Sequence, residues 1–241
     1  MVDAAAASFR DLTVGAFVQR LASAEPVPGG GSASAVAGAL GASLVAMVAE
    51  LSEGRPRYAV HARTLARAGA AGRRLAAALL ELADEDAAAY GSFAAARKLP
   101  RETDEQRAAR AAAIRTAARA AAEVPLACVA ACRDMLAAAE SLAGRSNVNA
   151  ASDLAVAANL GEAAARGAAE NVLINLPGME DDVLAAIMTE RVDGYLHEVQ
   201  ELADRAREVV ASGAARESLP LDGPDIEDGV AAPDGVENHV R

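Results

Sequence analysis

An all-α fold, built as an elongated antiparallel bundle of five to six helices, is predicted for this 241-residue chain by three features. Hydrophobic residues make up 53% of the sequence but aromatics only 2%, and Trp is absent, so Ala, Leu and Val have to fill the core. Ala is the strongest helix former, while the β-branched and aromatic residues that favour strands are scarce. Prolines and glycine clusters are widely spaced, and between them the apolar residues recur at helical rather than alternating intervals.

The elements follow in order. Thr13 caps a short first helix over residues 14–23, with Phe17 and Leu21 one turn apart. The run Glu25-Pro26-Val27-Pro28-Gly29-Gly30-Gly31-Ser32 dismantles the hydrogen-bond ladder and must be a shaped loop. A second helix over 32–51 carries Ala35, Gly38, Ala42 and Ala46 on one face, small enough for another backbone to approach closely. Gly54 ends it, and Pro56 suits the first turn of a third helix over 57–98, weakened at Gly69, Gly72 and Gly91 and stopped by Pro100. The fourth helix spans 103–143 with Pro125 in its middle, where a kink or break is expected. The fifth spans 149–175, closed by Pro177-Gly178, and the sixth spans 179–212. Past Gly213 the periodicity ends, which divides the chain into a helical domain over 1–213 and an acidic, disordered tail over 214–241. Long helices with small-residue faces point to a homodimer.

The net charge is −11, of which −5 lies in residues 218–241, leaving a moderately acidic body of −6. A phosphate backbone is a poor partner for such a surface, so no nucleic acid is expected. The first residues lack the pattern of a signal peptide and no stretch reads as a membrane span, so the expected location is cytoplasmic, with no membrane contact. Cys128 and Cys132, four apart in a helix, read as buried thiols.

Asp86 is the most informative residue. The apolar seam of the third helix runs through Leu79, Leu82, Ala83 and Phe93, and the same spacing puts Asp86 and Tyr90 in it, while Asp84 and Glu85 turn toward solvent. An ionised carboxylate at a seam needs hydrogen bonds or a cation, or its pKa rises. Spacing alone leaves Asp86 open between an acid or base and a structural carboxylate capping a neighbouring helix. Gly29, Gly30, Gly31 and Ser32 open a helix whose free N–H groups suit an anion or a polarised carbonyl, though such a turn is more often a plain tight connection, and no Lys precedes the Ser as a phosphate loop requires. Asn147 to Asp153 place polar groups at the head of the fifth helix, and Asn171 and Asn175 lie near its other end. Asp153 and Asn171 share a face but stand about 27 Å apart, so one small site can use both only if it is assembled from two chains. His61, His197 and His239 have no second ligand at metal spacing, and no Ser sits in a nucleophile elbow. Carboxylate acid–base chemistry without a metal is the natural candidate for an enzyme of this composition.

With these residues assembled, the sequence resembles the cyclodeaminase/cyclohydrolase family, which includes methenyltetrahydrofolate cyclohydrolase and the cyclodeaminase domain of formiminotransferase-cyclodeaminase. The resemblance rests on Pro28-Gly29-Gly30-Gly31-Ser32 with Gly38-Ala39-Leu40-Gly41-Ala42, Leu82-Ala83-Asp84-Glu85-Asp86, Val124-Pro125-Leu126, Ser152-Asp153-Leu154 and Asn171-Val172-Leu173-Ile174-Asn175, in family order across residues 10–210. It implies a helical dimer that binds folate in a cleft, with Asp86 as the catalytic aspartate. Gly29, Gly30, Gly31, Ser32, Ser152, Asp153 and Asn171 are then expected to bind substrate. In relatives a Lys-rich run before a Tyr stands where this chain has Gly54-Arg55-Pro56-Arg57-Tyr58; Arg55, Arg57 and Tyr58 are expected to meet the folate glutamate carboxylate, with Pro56 altering the local backbone. No cofactor is implied beyond the tetrahydrofolate derivative that is the substrate. The implied activity is hydrolysis of 5,10-methenyltetrahydrofolate to 10-formyltetrahydrofolate. The alternatives are release of ammonia from 5-formiminotetrahydrofolate, action on another amidine-like substrate, or a non-catalytic helical scaffold.

Overall fold

A computed structural model describes residues 8–220. Six α-helices follow one another: α1 (Val14–Leu21), α2 (Gly30–Glu50), α3 (Ala62–Arg97), α4 (Asp104–Leu142), α5 (Ala151–Asn175) and α6 (Asp182–Ser212), with short 3-10 segments at Phe9–Asp11, Pro56–His61, Val148–Ala150 and Leu176–Met179. No strand occurs among the described residues. Local capping chemistry sets several of the ends. Thr13 accepts the Ala16 N–H, Thr103 and Gln106 form a reciprocal capping box, and Gly213 closes α6 in the left-handed region at φ 66°.

α2 is the central helix and packs on α3 and α5, while α4 closes the bundle against α3, α5 and α6. Its composition alone passes for a membrane span, with a mean hydropathy of 1.8, against the reading of the sequence as free of such a stretch. Its surroundings explain much of that composition: 61% of the window is buried among other helices, while Leu40 and Met47 stay exposed on its outer face. The small face of α2 is where α3 arrives. A Cβ on Gly72 would stand 2.7 Å from the Ala42 carbonyl oxygen and 2.8 Å from the Ala46 nitrogen, so what reads in sequence as a weak point in α3 is the point of closest helix approach. Leu75, Leu79, Met135, Leu136 and Leu154 fill the remaining volume. Cys128 and Cys132 are free and buried, and the Cys128 hydrogen bond together with burial holds the Cys132 thiol well above its usual pKa.

Three expectations need correction. The third helix begins at Ala62 rather than residue 57, because Pro56–His61 winds as a tighter 3-10 segment. Pro125 neither breaks nor ends α4, which continues to Leu142. A proline leaves the carbonyl four residues earlier without its helical donor, here Ala121, and Asn175 of α5 donates its Nδ2 to that oxygen at 3.0 Å. The boundary at Gly213 also moves. Residues 214–220 run back along the end of α4, with the Arg216 N–H on the Gly144 carbonyl at 3.0 Å and Arg145 Nε on the Glu217 carbonyl at 2.6 Å. The rest of the expected tail, residues 221–241, lies outside the described residues.

Candidate active site

Asp86 projects from α3 at the N-terminal end of α2. Two features of α2 shape its surroundings. Gly31 lacks the side chain that would collide with it, since a Cβ there would stand 2.1 Å from Asp86 Oδ1. Ser32, buried at 0% exposure, places its Oγ 2.8 Å from Asp86 Oδ2 and 3.0 Å from the Ala83 carbonyl oxygen. Burial raises the Asp86 pKa above the ordinary carboxylate value, and the Ser32 hydroxyl and Ser32 amide pull it down only in part.

The single hydroxyl proton of Ser32 faces two acceptors, which has a chemical consequence. With Asp86 ionised, Ser32 donates to Oδ2. With Asp86 neutral, the carboxyl O–H can donate to Ser32 Oγ while Ser32 donates to Ala83. Both protonation states are therefore hydrogen-bonded, as a group that takes up and returns a proton requires.

Ser32 and Gly31 thus form the cradle of Asp86, not a substrate-facing surface as the sequence suggested for them. Gly29 and Gly30 remain at the mouth, with Gly29 as the N-cap of α2. Asn171 of α5 is beside them: a Cβ on Gly30 would lie 3.7 Å from Asn171 Nδ2, which donates to the Gly167 carbonyl at 2.8 Å. Asn175, one turn on, donates to Asn171 O at 2.7 Å and to the carbonyl freed by Pro125. The sequence motifs around Pro125 and Asn175 are therefore two halves of one contact. The signal that links them is the orphan carbonyl a mid-helix proline creates, whose donor must come from elsewhere.

The neighbours of Asp86 in α3 differ from expectation. Tyr90 is 46% exposed, because the buried line passes through Ala89 instead; a 3.6-residue helix drifts off a 3.5-residue seam. Glu85 is exposed as expected, whereas Asp84 is not free in solvent. It accepts the Phe9 N–H at 2.7 Å and the Ser8 hydroxyl, tying the start of the described chain to α3.

The remaining expected binding residues lie elsewhere. α2 has 21 residues, a rise of about 31 Å, and Arg55, Arg57 and Tyr58 follow its far end. Tyr58 is buried, and its hydroxyl oxygen accepts the Val148 N–H at 3.2 Å. Asn147 joins the same knot by donating its N–H to Ser52 Oγ at 2.8 Å. Ser152 and Asp153 begin α5 just after this connection, Ser152 exposed and Asp153 half-buried. Arg55 and Arg57 are exposed and make no ion pair among the described residues, and the Arg57 guanidinium lies 5.7 Å from the Tyr58 ring centroid. A cavity of about 360 Å³ adjoins them, lined in part by Gly54, Arg55, Pro56 and Tyr58. The expected site residues therefore fall into two groups: Asp86, the glycine turn and Asn171 at one end of α2, and the arginines with Ser152 and Asp153 at the other. No three His, Cys, Asp or Glu side chains converge as a metal would require among the described residues.

Comparison with known proteins covers both ends. The profile of the formiminotransferase-cyclodeaminase family matches residues 13–194. A methenyltetrahydrofolate cyclohydrolase of Methylorubrum extorquens is 38% identical over 200 residues, covering 83% of this chain and 96% of that protein. The formimidoyltransferase-cyclodeaminase of Rattus norvegicus is 36% identical over 196 residues; the match takes in 81% of this chain but only 36% of that longer protein. Among solved structures, formiminotetrahydrofolate cyclodeaminase from Thermotoga maritima superposes with a TM-score of 0.76 at 26% identity, covering 84% of this chain and 98% of that one. The matched segment contains the Asp86 cradle, the arginine loop and every helix but the end of α6. On that extent of sequence and fold, the chain belongs to the formiminotransferase-cyclodeaminase family.

Proposed function

We propose that this protein hydrolyses 5,10-methenyltetrahydrofolate to 10-formyltetrahydrofolate, as a cytoplasmic homodimer in which each site draws on both chains. The observation that carries the reading is Asp86: a half-buried carboxylate of raised pKa, hydrogen-bonded in either protonation state, at the open mouth of a glycine turn. The substrate's bridging carbon is part of a cation, which an ionised Asp86 complements. Asp86 takes a proton from water as the water oxygen bonds to that carbon. The tetrahedral adduct then opens by breaking its bond to N5, which receives the proton from Asp86, while the hydroxyl proton leaves as the formyl C=O forms. One water is consumed and one proton released. A carboxyl group with a pKa nearer neutrality serves both transfers better than an ordinary one.

The dimer is supported by the outer face of α2. Between Gly30 and Ala49 that helix has no charged residue, and Leu40, Met47 and Leu51 are exposed along it at 55%, 36% and 41%. Leu40 is the midpoint of α2. Antiparallel pairing of two copies across it would set the Asp86 end of one against the Arg55 end of the other, closing the two half-sites into two whole ones. The pterin would then stand over Asp86 and the glutamate carboxylates at Arg55 and Arg57 of the second copy.

The likeness to a cyclodeaminase structure favours a second reading, in which N10 attacks a 5-formimino carbon and Asp86 carries the proton that lets ammonia leave. Both reactions pass through a tetrahedral carbon between N5 and N10. Purified protein given each substrate in parallel separates them: loss of the methenyl absorbance without ammonia supports hydrolysis, and ammonia release overturns it in favour of deamination.

A further inference from the structure

We propose that residues 214–220 are a strap that positions the arginine loop for the substrate's carboxylates, with Ser218 as the positioning residue; this rests on the folate reading above. The segment leaves α6 at Gly213 and crosses Gly144 so closely that a Cβ there would stand 2.5 Å from the Ala214 carbonyl oxygen. Arg216 grips the end of α4 by its N–H on Gly144 O and by Nη1 on Glu140 Oε1 at 2.8 Å. Arg145, 5% exposed beneath the segment, sends Nε to the Glu217 carbonyl and Nη1 to the Ser141 carbonyl at 3.1 Å. These contacts hold the strap, and its far end holds something else. Ser218 Oγ donates to the Val60 carbonyl at 2.9 Å and lies 3.3 Å from His61 Nδ1.

Val60 and His61 end the 3-10 segment Pro56–His61, whose first turn carries Arg57 and whose N-cap is Arg55. That segment is pinned on one side through Tyr58 to the connection between α4 and α5, and on the other through Val60 to the strap. The strap thus adds a second tether to a segment that buried Tyr58 and its continuity with α3 already anchor, and fixes the orientation of its outer face. The two guanidiniums it displays are exposed and without ion pairs among the described residues, so what the orientation sets is the direction in which two cations face an anionic ligand. The strap therefore acts on affinity for the carboxylate end of the substrate and leaves the chemistry at Asp86 untouched.

The test compares full-length protein, chains ending at Pro220 and at Gly213, and Ser218→Ala. Each is assayed on methenyltetrahydrofolate and on its methenyl-tetrahydropteroate analogue, which has the pterin and aminobenzoate but no glutamate. Ending at Gly213 is expected to raise KM for the glutamate-bearing substrate about tenfold, the scale of one charge-assisted contact. Its kcat is expected to stay within about twofold, with KM for the analogue unchanged. Ser218→Ala moves in the same direction by about threefold, and ending at Pro220 changes nothing. A KM for the Gly213 chain equal to that of the full chain, or a rise shared by both substrates, overturns the proposal. Should the Gly213 chain fail to fold, the same comparison on Ser218→Ala decides it. If the full-length protein turns over neither substrate, the folate reading falls and the strap's role with it; activity without a glutamate-dependent shift sinks the strap alone.

Discussion

Replacing Asn175 by Ala is expected to destabilise the protein, and by an amount that depends on what occupies position 125. In the native chain Pro125 has no N–H to give Ala121, and Asn175 Nδ2 supplies the missing donor at 3.0 Å. Removing it leaves a part-buried carbonyl unpaired, a cost of about 1 to 1.5 kcal/mol at the lower end of the range for buried polar groups. In a domain of this size that is a fall of roughly 3 to 5 °C in Tm. With Pro125→Ala the backbone N–H returns, Ala121 regains its helical donor, and the same Asn175→Ala change loses only the bond to the Asn171 carbonyl. That second loss occurs in both backgrounds and cancels, so the cycle isolates a coupling of about 1 kcal/mol. Thermal or urea unfolding of the four proteins at one fixed concentration measures it, the concentration being held because an oligomer's stability depends on it. Equal costs in the two backgrounds, to within about 0.3 kcal/mol, would show that Asn175 does not serve the proline's orphan carbonyl.

Asp86→Asn is expected to cut turnover by about 10² to 10⁴, and a loss under about tenfold removes Asp86 from the proton transfers. The same variant should melt at the same temperature or higher at neutral pH. Because the folded pKa of Asp86 is raised, the fold favours its protonated form; that contribution is complete below the unfolded value and lost as pH rises through the folded one, so the ionised carboxylate is a cost the amide removes. A clear drop in Tm would contradict this. For the wild type, kcat/KM is expected to fall on the acid side with a midpoint above the ordinary carboxylate value, and a midpoint at that ordinary value would mean that burial is not tuning the group. Gly31→Ala must push the Asp86 carboxylate away from its Ser32 partner, so activity drops without an added cavity or lost core contact; retention of full activity would place Asp86 elsewhere. Mixing Asp86→Asn with Arg55→Glu protein, assayed at substrate far below the KM of the Arg55→Glu parent so that neither parent turns over appreciably, should restore about a quarter of wild-type specific activity after random exchange, because half the dimers then hold one intact site. Mixing Asp86→Asn with a bulky Gly30 variant should restore none, since both defects sit in one half-site, and recovery there would refute the assembly.

What the sequence could reveal was whatever local chemistry decides. The start of α1 was legible because Thr13 caps it through a bond three residues long, and the position of Asp86 was legible because helical spacing put a carboxylate among Leu79, Ala83 and Phe93, although its role came only from the family resemblance. The errors share a different cause, partners far away in the chain. Asp84 was expected in solvent, and its two donors come from residues 75 and 76 positions earlier. Pro125 was expected to kink or break α4; the helix runs on unbroken, and the side chain that serves the freed carbonyl is 54 positions away from it. Residues 214–220 have no apolar periodicity to announce order, because hydrogen bonds to Gly144, Arg145 and Val60 hold them instead of a buried face. Ser32 was recognised as belonging to the site, but only its burial beneath Asp86 turns it from a ligand contact into the carboxylate's partner.

The separation of the expected site residues into two groups is the one long-range fact that sequence does carry, because a helix is a ruler. Eighteen residues within α5 fix about 27 Å between Asp153 and Asn171 whatever else the chain does, and the 21 residues of α2 separate the glycine turn from Arg55 by a similar length. Under the proposed function a folate with its glutamate is long, but a single chain would meet its reacting end and its carboxylate end at opposite ends of the bundle, with α2 lying between them. Two equal rulers laid antiparallel bring each reacting end to a carboxylate end. The length of α2 is therefore as much a part of the proposed site as the side chains, and Leu40→Glu, which would set two carboxylates against each other at the midpoint of the pair, is expected to preserve each half-site while keeping the two copies apart. Such a protein would fold and fail to turn over substrate, and undiminished activity would mean that each chain holds a complete site of its own.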